Sequence, residues 1–423
     1  MCAKMGKLHE IAKRKSVYLQ AKTNNMLVQR NSIRTSLLVV ILLACLPIIQ
    51  GCQSKSKNRS KNTIQTALTT SSRLDSLYTP MPLSYAKGYS VRQYKNIHLV
   101  NISDPQRKKA TIFRLAIVPR SLKDTKSLIP QGYTVIHTPV RRLITMTSLQ
   151  LSTLIKLKAT ERVVGVTSTR HLFNQKIKAQ LTSGTTQHIG IEGQFDKERI
   201  MLLQPDIILI SPFKRGGYDS MKDIGVPLVP YLGYKEMSPL AQAEWLKFVG
   251  LLINKETQAD SIFKGMEQEY LSLLHLTKHV KNRPEVFSGE MRGGHWYAVG
   301  GKSFLAQLFE DAGAEYFMHD NPKSGGIVLD FETIYSQAAH VPYWRIVNSY
   351  QGNYDYDALL ATNARYADFD AYKNHGVIYC NMNKKPYYEQ MPMEPCVLLK
   401  DMIKVFHPEL LPNYTPVYYS LLK

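Results

Sequence analysis

A chain of 423 residues with 44% hydrophobic content is long enough for two or three domains and too apolar to be disordered as a whole. Its formal net charge of +21 suggests nucleic acid only until the charges are placed. Twelve bases and one acid fall in the first 62 residues, so +11 of the +21 belongs to the amino terminus, and the remaining charges are of both signs and interspersed. That distribution excludes a nucleic-acid-binding domain.

Asn31 to Gly51 reads NSIRTSLLVVILLACLPIIQG, a basic flank before an apolar run from Leu37 to Ile49. The run is shorter than the roughly 20 apolar residues of a membrane span and has the form of a secretory signal. The Ile49-Gln50-Gly51-Cys52 that ends it resembles a bacterial lipobox, in which a small residue precedes a cysteine that is lipidated. Cys45 follows a similar Leu-Ala but leads into apolar LPIIQ rather than a polar tether, so Cys52 is the expected lipid site. An uncleaved anchor helix is the alternative. Residues 1–52 are read as extension and signal peptide, and 53–84 as a flexible tether, since QSKSKNRSKNTIQTALTTSSR is polar and without periodicity. Short alternating runs such as NIHLVNI and ATIFRLAIV predict a small β extension over 85–140.

Over 141–237 strands alternate with helices. LITMTSLQLSTLIKL reads as strand, loop and helix, RVVGVTS as a strand, and Ile207 to Ser211 as a buried strand after a short helix capped by Asp196. A mostly parallel sheet follows, with ligand loops at the carboxyl ends of its strands. Ser238 and Pro239 then open a helical segment over 238–283, interrupted at Asn254-Lys255, whose apolar residues from Ala259 to Leu274 keep helical spacing.

The alternation resumes over 284–423. EVFSGEM predicts a strand leading into a loop RGGHWYAVGGKS, Ser303 a helix cap, Asp330 the cap of FETIYSQAAH, YWRIVN and VIYCN strands, and Pro395 to Phe406 an amphipathic helix. The residues from Ser349 to Gly376 read as a long polar stretch. Asp196 to Ile200, DKERI, is echoed by Asp330 to Ile334, DFETI, each at a helix start and one in each half.

These residues resemble the periplasmic substrate-binding proteins of ABC importers for iron siderophores, haem and vitamin B12, in their lipoprotein form. The resemblance runs from about Val140 to the carboxyl terminus, and its most specific piece is Glu198-Arg-Ile-x-x-Leu-x-Pro-Asp206-Ile-Ile. In the second half Ala338-Ala339-His340-Val341-Pro342 departs from the usual Pro-Asp, which loosens the register there. The resemblance implies an α/β fold of two Rossmann-like lobes joined by a long helix, acting as a monomer. It also implies that Glu198 and Glu332 dock onto arginines of an ABC permease, a role that competes with plain complementation of a helix amino terminus.

For a flat or chelated ligand, rings and guanidinium groups are the fitting partners. Arg215, Tyr218 and Tyr234 supply them in one lobe, and Arg292, His295, Trp296 and Tyr297 in the other, where Asn381 is a further polar candidate for ligand binding. Tyr231 and Trp344 read instead as core. An iron chelate, haem or cobalamin is the expected ligand, without a catalytic cofactor or a bound metal of the protein's own.

A metal-ion binding protein would need several histidines converging, yet His137, His171, His188, His295 and His340 are scattered. An enzyme on the same fold, such as a chelatase or hydrolase, has no G-x-S-x-G or H-E-x-x-H to support it. A structural lipoprotein without ligand is the third alternative. Export permits a bridge between Cys380 and Cys396, and burial of each as a free thiol is the other reading.

Overall fold

A computed structural model describes residues 74, 76–107, 111–191, 193–212 and 218–423, all within the unit Thr70–Lys423. Cys52, the leader before it, the tether up to Arg73, and Arg215 lie outside the described residues.

β-branched and apolar residues alternate through Tyr89–Tyr94, Ile97–Ser103 and Thr111–Pro119, which pair antiparallel, and Thr134–Thr138 joins the last of them in parallel. Thr79–Met81 pairs with Val91–Gln93, so this five-stranded sheet begins inside the stretch read as tether. Two buried carboxylates hold the segment between its first two strands. Glu244 accepts hydrogen bonds from the backbone N–H groups of Ser84 (3.0 Å), Tyr85 (2.8 Å) and Ala86 (2.8 Å), and Glu236 from those of Lys87 and Gly88 and from the Trp245 indole at 2.9 Å. Burial pushes the Glu236 carboxyl above its ordinary value, against the pull of Trp245 and Gly88. Each buried N–H left unpaired would cost roughly 1–3 kcal/mol, so the acids account for an irregular segment packed this closely.

The first lobe is a five-stranded parallel sheet in the order Leu228–Pro230, Ile207–Ile210, Leu143–Thr145, Val163–Val166, Gln187–His188. Every residue of Ile207–Ile210 is buried, as a strand covered on both faces requires. The Pro205-Asp206 of the sequence motif has a structural role. Asp206 accepts from the backbone N–H groups of Arg141 (2.7 Å) and Arg142 (3.0 Å) and from the Arg120 guanidinium (2.7 Å). Burial works to raise its carboxyl, but these bonds hold it below the usual range.

The helical segment resolves into three pieces. Ser238 caps Pro239–Ala243 through the Ala241 N–H, Trp245–Ile253 is almost wholly buried, and Asn254 in the left-handed region (φ 60°) ends it. Glu256–Thr277 is the connector proper, 22 residues burying the stripe Ala259, Phe263, Met266, Tyr270 and Leu273. Its length is roughly 33 Å.

The second lobe orders its strands Glu315–Tyr316, Glu285–Ser288, Tyr343–Asn348, Val377–Asn381, Ser420–Leu421, parallel except for the last. Together these elements make the α/β fold of two lobes with mostly parallel sheets, one long helix and a small amino-terminal β extension. One expectation is corrected. RGGHWYAVGGKS is no loop: Glu290–Arg292 and His295–Val299 form a hairpin on Gly293 and Gly294, both at positive φ, and Gly326–Leu329 adds a third strand. The polar stretch after Ser349, for which no elements are expected above, folds into Tyr356–Thr362, Ala364–Asp368 and Asp370–Lys373, with Asp355 and Asn363 as caps.

Cys380 and Cys396 are free, buried thiols. Asp401, fully buried, accepts from the Tyr414 hydroxyl and from the backbone N–H groups of Val417, Tyr418 and Tyr419, fastening the carboxyl-terminal segment as Glu244 fastens the extension. One apolar cluster runs from Val91 of the extension through Leu143 and Phe248 to Val286 and Met402, so the lobes share a core.

Candidate ligand cleft

Open parallel sheets present their ligands to the carboxyl ends of their strands. In the first lobe the loop after Val163–Val166 carries Arg170 to Asn174; in the second, Ser349 follows Tyr343–Asn348 and Asn383 follows Val377–Asn381. These loops meet across the lobes. His171 Nε2 lies 3.0 Å from Asn383 Oδ1 and 3.0 Å from Ser349 Oγ. Beside it the buried Glu389 of the second lobe accepts from the backbone N–H groups of Phe173 (3.1 Å) and Asn174 (3.0 Å). Those groups lead into the helix Gln175–Ser183, whose amino end favours a carboxylate. Burial pushes the Glu389 carboxyl up, opposed by the two N–H groups. Further along the seam a polar cavity of about 250 Å³ opens between Lys87, Glu236 to Ser238 and Gly301 to Ser303.

The second-lobe wall is aromatic and charged. Glu290 accepts from Arg292 Nε at 3.0 Å and lies 3.4 Å from Asn348 Nδ2, while Asn348 Oδ1 accepts from the Tyr379 hydroxyl at 2.7 Å. Tyr379 stacks on Tyr354 (ring centroids 4.3 Å apart), which meets Tyr350 at 4.9 Å. The Tyr366 hydroxyl accepts from the Met291 N–H at 2.8 Å, and burial pushes its phenol up to about 12. Tyr354 and Tyr366 are buried in the second lobe's core, so the groups of this wall left partly or fully exposed are Tyr350, Tyr379 and the Glu290–Arg292 pair. Among the described residues no three His, Cys, Asp or Glu side chains are grouped to hold a metal ion.

The hairpin sorts its own candidates by strand alternation. Arg292, His295 and Tyr297 are exposed on its outer face, Tyr297 to 47%. Trp296 points inward, fully buried, with its indole N–H donating to Ser288 O at 3.0 Å and its ring against Phe287 and Trp344. It therefore anchors the hairpin to the core, which corrects its reading as a ligand contact. Asn381 is also buried: its Nδ2 donates to Tyr350 O and its Oδ1 accepts from the Asn383 N–H, so it shapes the turn that presents Asn383. Tyr231 and Trp344 are core, as read.

In the first lobe, Tyr218 stacks on Phe195 and lines a separate cavity of about 510 Å³ with Phe113 and Thr134 of the extension and Ile210 and Pro212 of the lobe. Tyr234 is half-buried against the main core. Glu198 and Glu332 are both exposed in the first turn of a helix capped by aspartate. The residues that bridge the seam, His171, Ser349, Asn383 and Glu389, and the wall residues Glu290 and Asn348 were not among the candidates. All but Glu389 sit just beyond, or at, the carboxyl end of a strand, and that position was the signal available for them.

A family model described as periplasmic binding protein matches residues 143–383. An uncharacterized lipoprotein of Methanocaldococcus jannaschii is 23% identical over 399 residues, 88% of this chain and 92% of its own length. Among solved structures, a periplasmic heme binding protein from Pseudomonas aeruginosa aligns with a TM-score of 0.53 at 16% identity, covering 67% of this chain and 98% of that one. A TroA-like periplasmic binding protein from Veillonella parvula gives 0.51 at 15% identity, covering 68% and 96%. At these identities the structures speak for the two-lobed fold.

Proposed function

Since the chain belongs to the periplasmic binding protein family, we propose that it captures an iron-siderophore, haem or corrinoid between its lobes and delivers it to an ABC permease. The family is one of substrate-binding proteins, not enzymes, and no chemistry is performed on the ligand. The observation that carries this reading is the meeting of the carboxyl-end loops of two parallel sheets, at His171, Ser349 and Asn383, in lobes joined by one long helix. A ligand at that seam touches both lobes at once. A continuous helix between lobes resists wide bending, so closure over the ligand is small and local.

The partly exposed rings of Tyr350 and Tyr379, backed by buried Tyr354, with Arg292 beside Glu290, favour a large ligand with flat or anionic groups. The haem-binding neighbour and the lipoprotein name of the relative support the same reading. A lipid on Cys52 anchors the exported protein to a membrane, facing the periplasm or the cell surface, and Glu198 and Glu332 meet basic groups of the permease. Titration of the full chain with ferric catecholate and hydroxamate chelates, haem and cobalamin, followed by tryptophan fluorescence, tests it. Saturable binding of one class is expected. Failure of all four, with hydrolytic turnover of any of them, would overturn the proposal.

A further inference from the structure

The connector helix Glu256–Thr277 ends in a pair of histidines that the cleft does not use, carried by the spacing H-L-T-K-H over His275 to His279. The backbone stays helical past Thr277: Lys278 keeps right-handed dihedrals (φ −58°, ψ −32°), and its N–H donates to Leu274 O at 3.1 Å. His275 and His279, four residues apart, therefore project from one face, where side chains at that spacing meet. Their ring centroids lie 6.0 Å apart with the planes at 90°, and both residues are exposed. Other imidazoles of the chain are engaged elsewhere. His171 lies between Ser349 and Asn383, His319 between Glu315 and Asp320 at 3.3 Å from each, His340 by Asp370 at 3.0 Å, and His407 by Gly313 O at 3.0 Å. Among the described residues the imidazoles of His275 and His279 have only each other.

We infer that His275 and His279 form a two-histidine site for a divalent first-row transition ion, Cu²⁺ before Ni²⁺ or Zn²⁺, apart from the ligand cleft and independent of what the cleft binds. Neutral imidazole nitrogen is a fitting ligand for these ions, and copper binds such donors most tightly of the three. Two rings that share an ion through bonds of about 2.0–2.1 Å stand only about an ångström nearer than these, which rotation of exposed side chains supplies. The surroundings select the ion. Lys278 and Lys281 are exposed beside the pair and oppose a hard cation held by charge and oxygen ligands, such as Ca²⁺ or Mg²⁺, whereas nitrogen coordination outweighs them. The unpaired carbonyls at the end of a 22-residue helix favour positive charge at this place. Water completes the coordination, for His275 opens onto a groove of about 810 Å³ that Thr277, Lys278 and Glu310 also line. An ion bound by both rings ties the last turn of the connector to the residues that lead into Glu285–Ser288, and so stiffens the joint between connector and second lobe.

The test titrates the untagged full chain, without any cleft ligand, with Cu²⁺, Ni²⁺ and Zn²⁺ by calorimetry, and follows ring-labelled histidines by NMR as Cu²⁺ is added. The ring signals of His275 and His279 are expected to broaden before those of any other histidine. His275→Ala and His279→Ala should each weaken Cu²⁺ binding at least about tenfold, and His319→Ala should leave it unchanged. The ion should raise the melting temperature of the native chain and of His319→Ala, but not of the other two variants. Without metal all three should unfold like the native chain, since the replaced side chains are exposed. Earlier broadening at His171 or His319, loss of binding through His319→Ala, or equal affinity of the native chain and both connector variants would each overturn the inference. So would the absence of broadening at His275 and His279 when ion and chain are equimolar, and none of these results bears on ligand capture between the lobes.

Discussion

In the first lobe Asp196 caps Lys197–Leu203 and turns Met201 and Leu202 to solvent; in the second Asp330 caps Phe331–Ala338 in the same way, and Tyr335 lies back on Phe331 and Phe369. The two lobes thus share the cap and the carboxylate and differ in the outer face. The same contrast holds at the lobe margins. Glu236 and Glu244 fasten an amino-terminal extension to the first lobe, whereas Asp401 fastens the carboxyl-terminal segment to the second, by the same device of a buried acid accepting backbone N–H groups. What differs between the lobes is what each acid holds, and the physics of the holding is shared.

The largest effect should come from breaking those clamps. Glu244→Ala and Asp401→Ala each strand several buried donors and should each cost about 3 kcal/mol or more in chemical denaturation. Because one core cluster spans extension and both lobes, either variant should lower a single cooperative transition. Two separate transitions by calorimetry would show lobes that fold independently. A smaller loss, about 1–3 kcal/mol, is expected for Glu389→Ala, with faster hydrogen exchange at Phe173 and Asn174 and unchanged exchange at Ile207 to Ile210.

Asp206→Asn probes the first lobe by pH. Its carboxyl is held below the ordinary value, so the stability it contributes is present above about pH 4 and is lost as pH falls through the folded-state value. The variant should be less stable than the native chain by about 1 kcal/mol at neutral pH, and the gap should narrow in acid. A gap that stays constant with pH would sink that assignment. The smallest change is expected for Arg365→Ala, whose exposed pair with Glu332 should contribute less than about 1 kcal/mol to stability.

Much of the fold was legible because its signals are local. Ser238, Ser303, Asp196 and Asp330 cap the helices they were read to cap, and the buried strands announce themselves as apolar runs. The hairpin around Gly293-Gly294 is masked in RGGHWYAV by paired glycines that suggest a loop, although the alternation after them places Trp296 and Ala298 inward and His295 and Tyr297 outward. The site was less legible. His171 and Asn174 lie more than 200 residues before their partners Asn383 and Glu389 and meet them only through the packing of two lobes, which no periodicity encodes. Asn381 was found at the right turn but with a different task, because its side chain turns inward to Tyr350 O.

One ligand gripped by both lobes should leave its mark on each of them. Hydrogen exchange of the full chain, with and without whichever of the ferric chelates, haem or cobalamin saturates it, is expected to show simultaneous protection of 168–174 in the first lobe and of 290–299 and 348–355 in the second. Protection confined to one lobe, or to the cavity between Tyr218 and the extension, would contradict it.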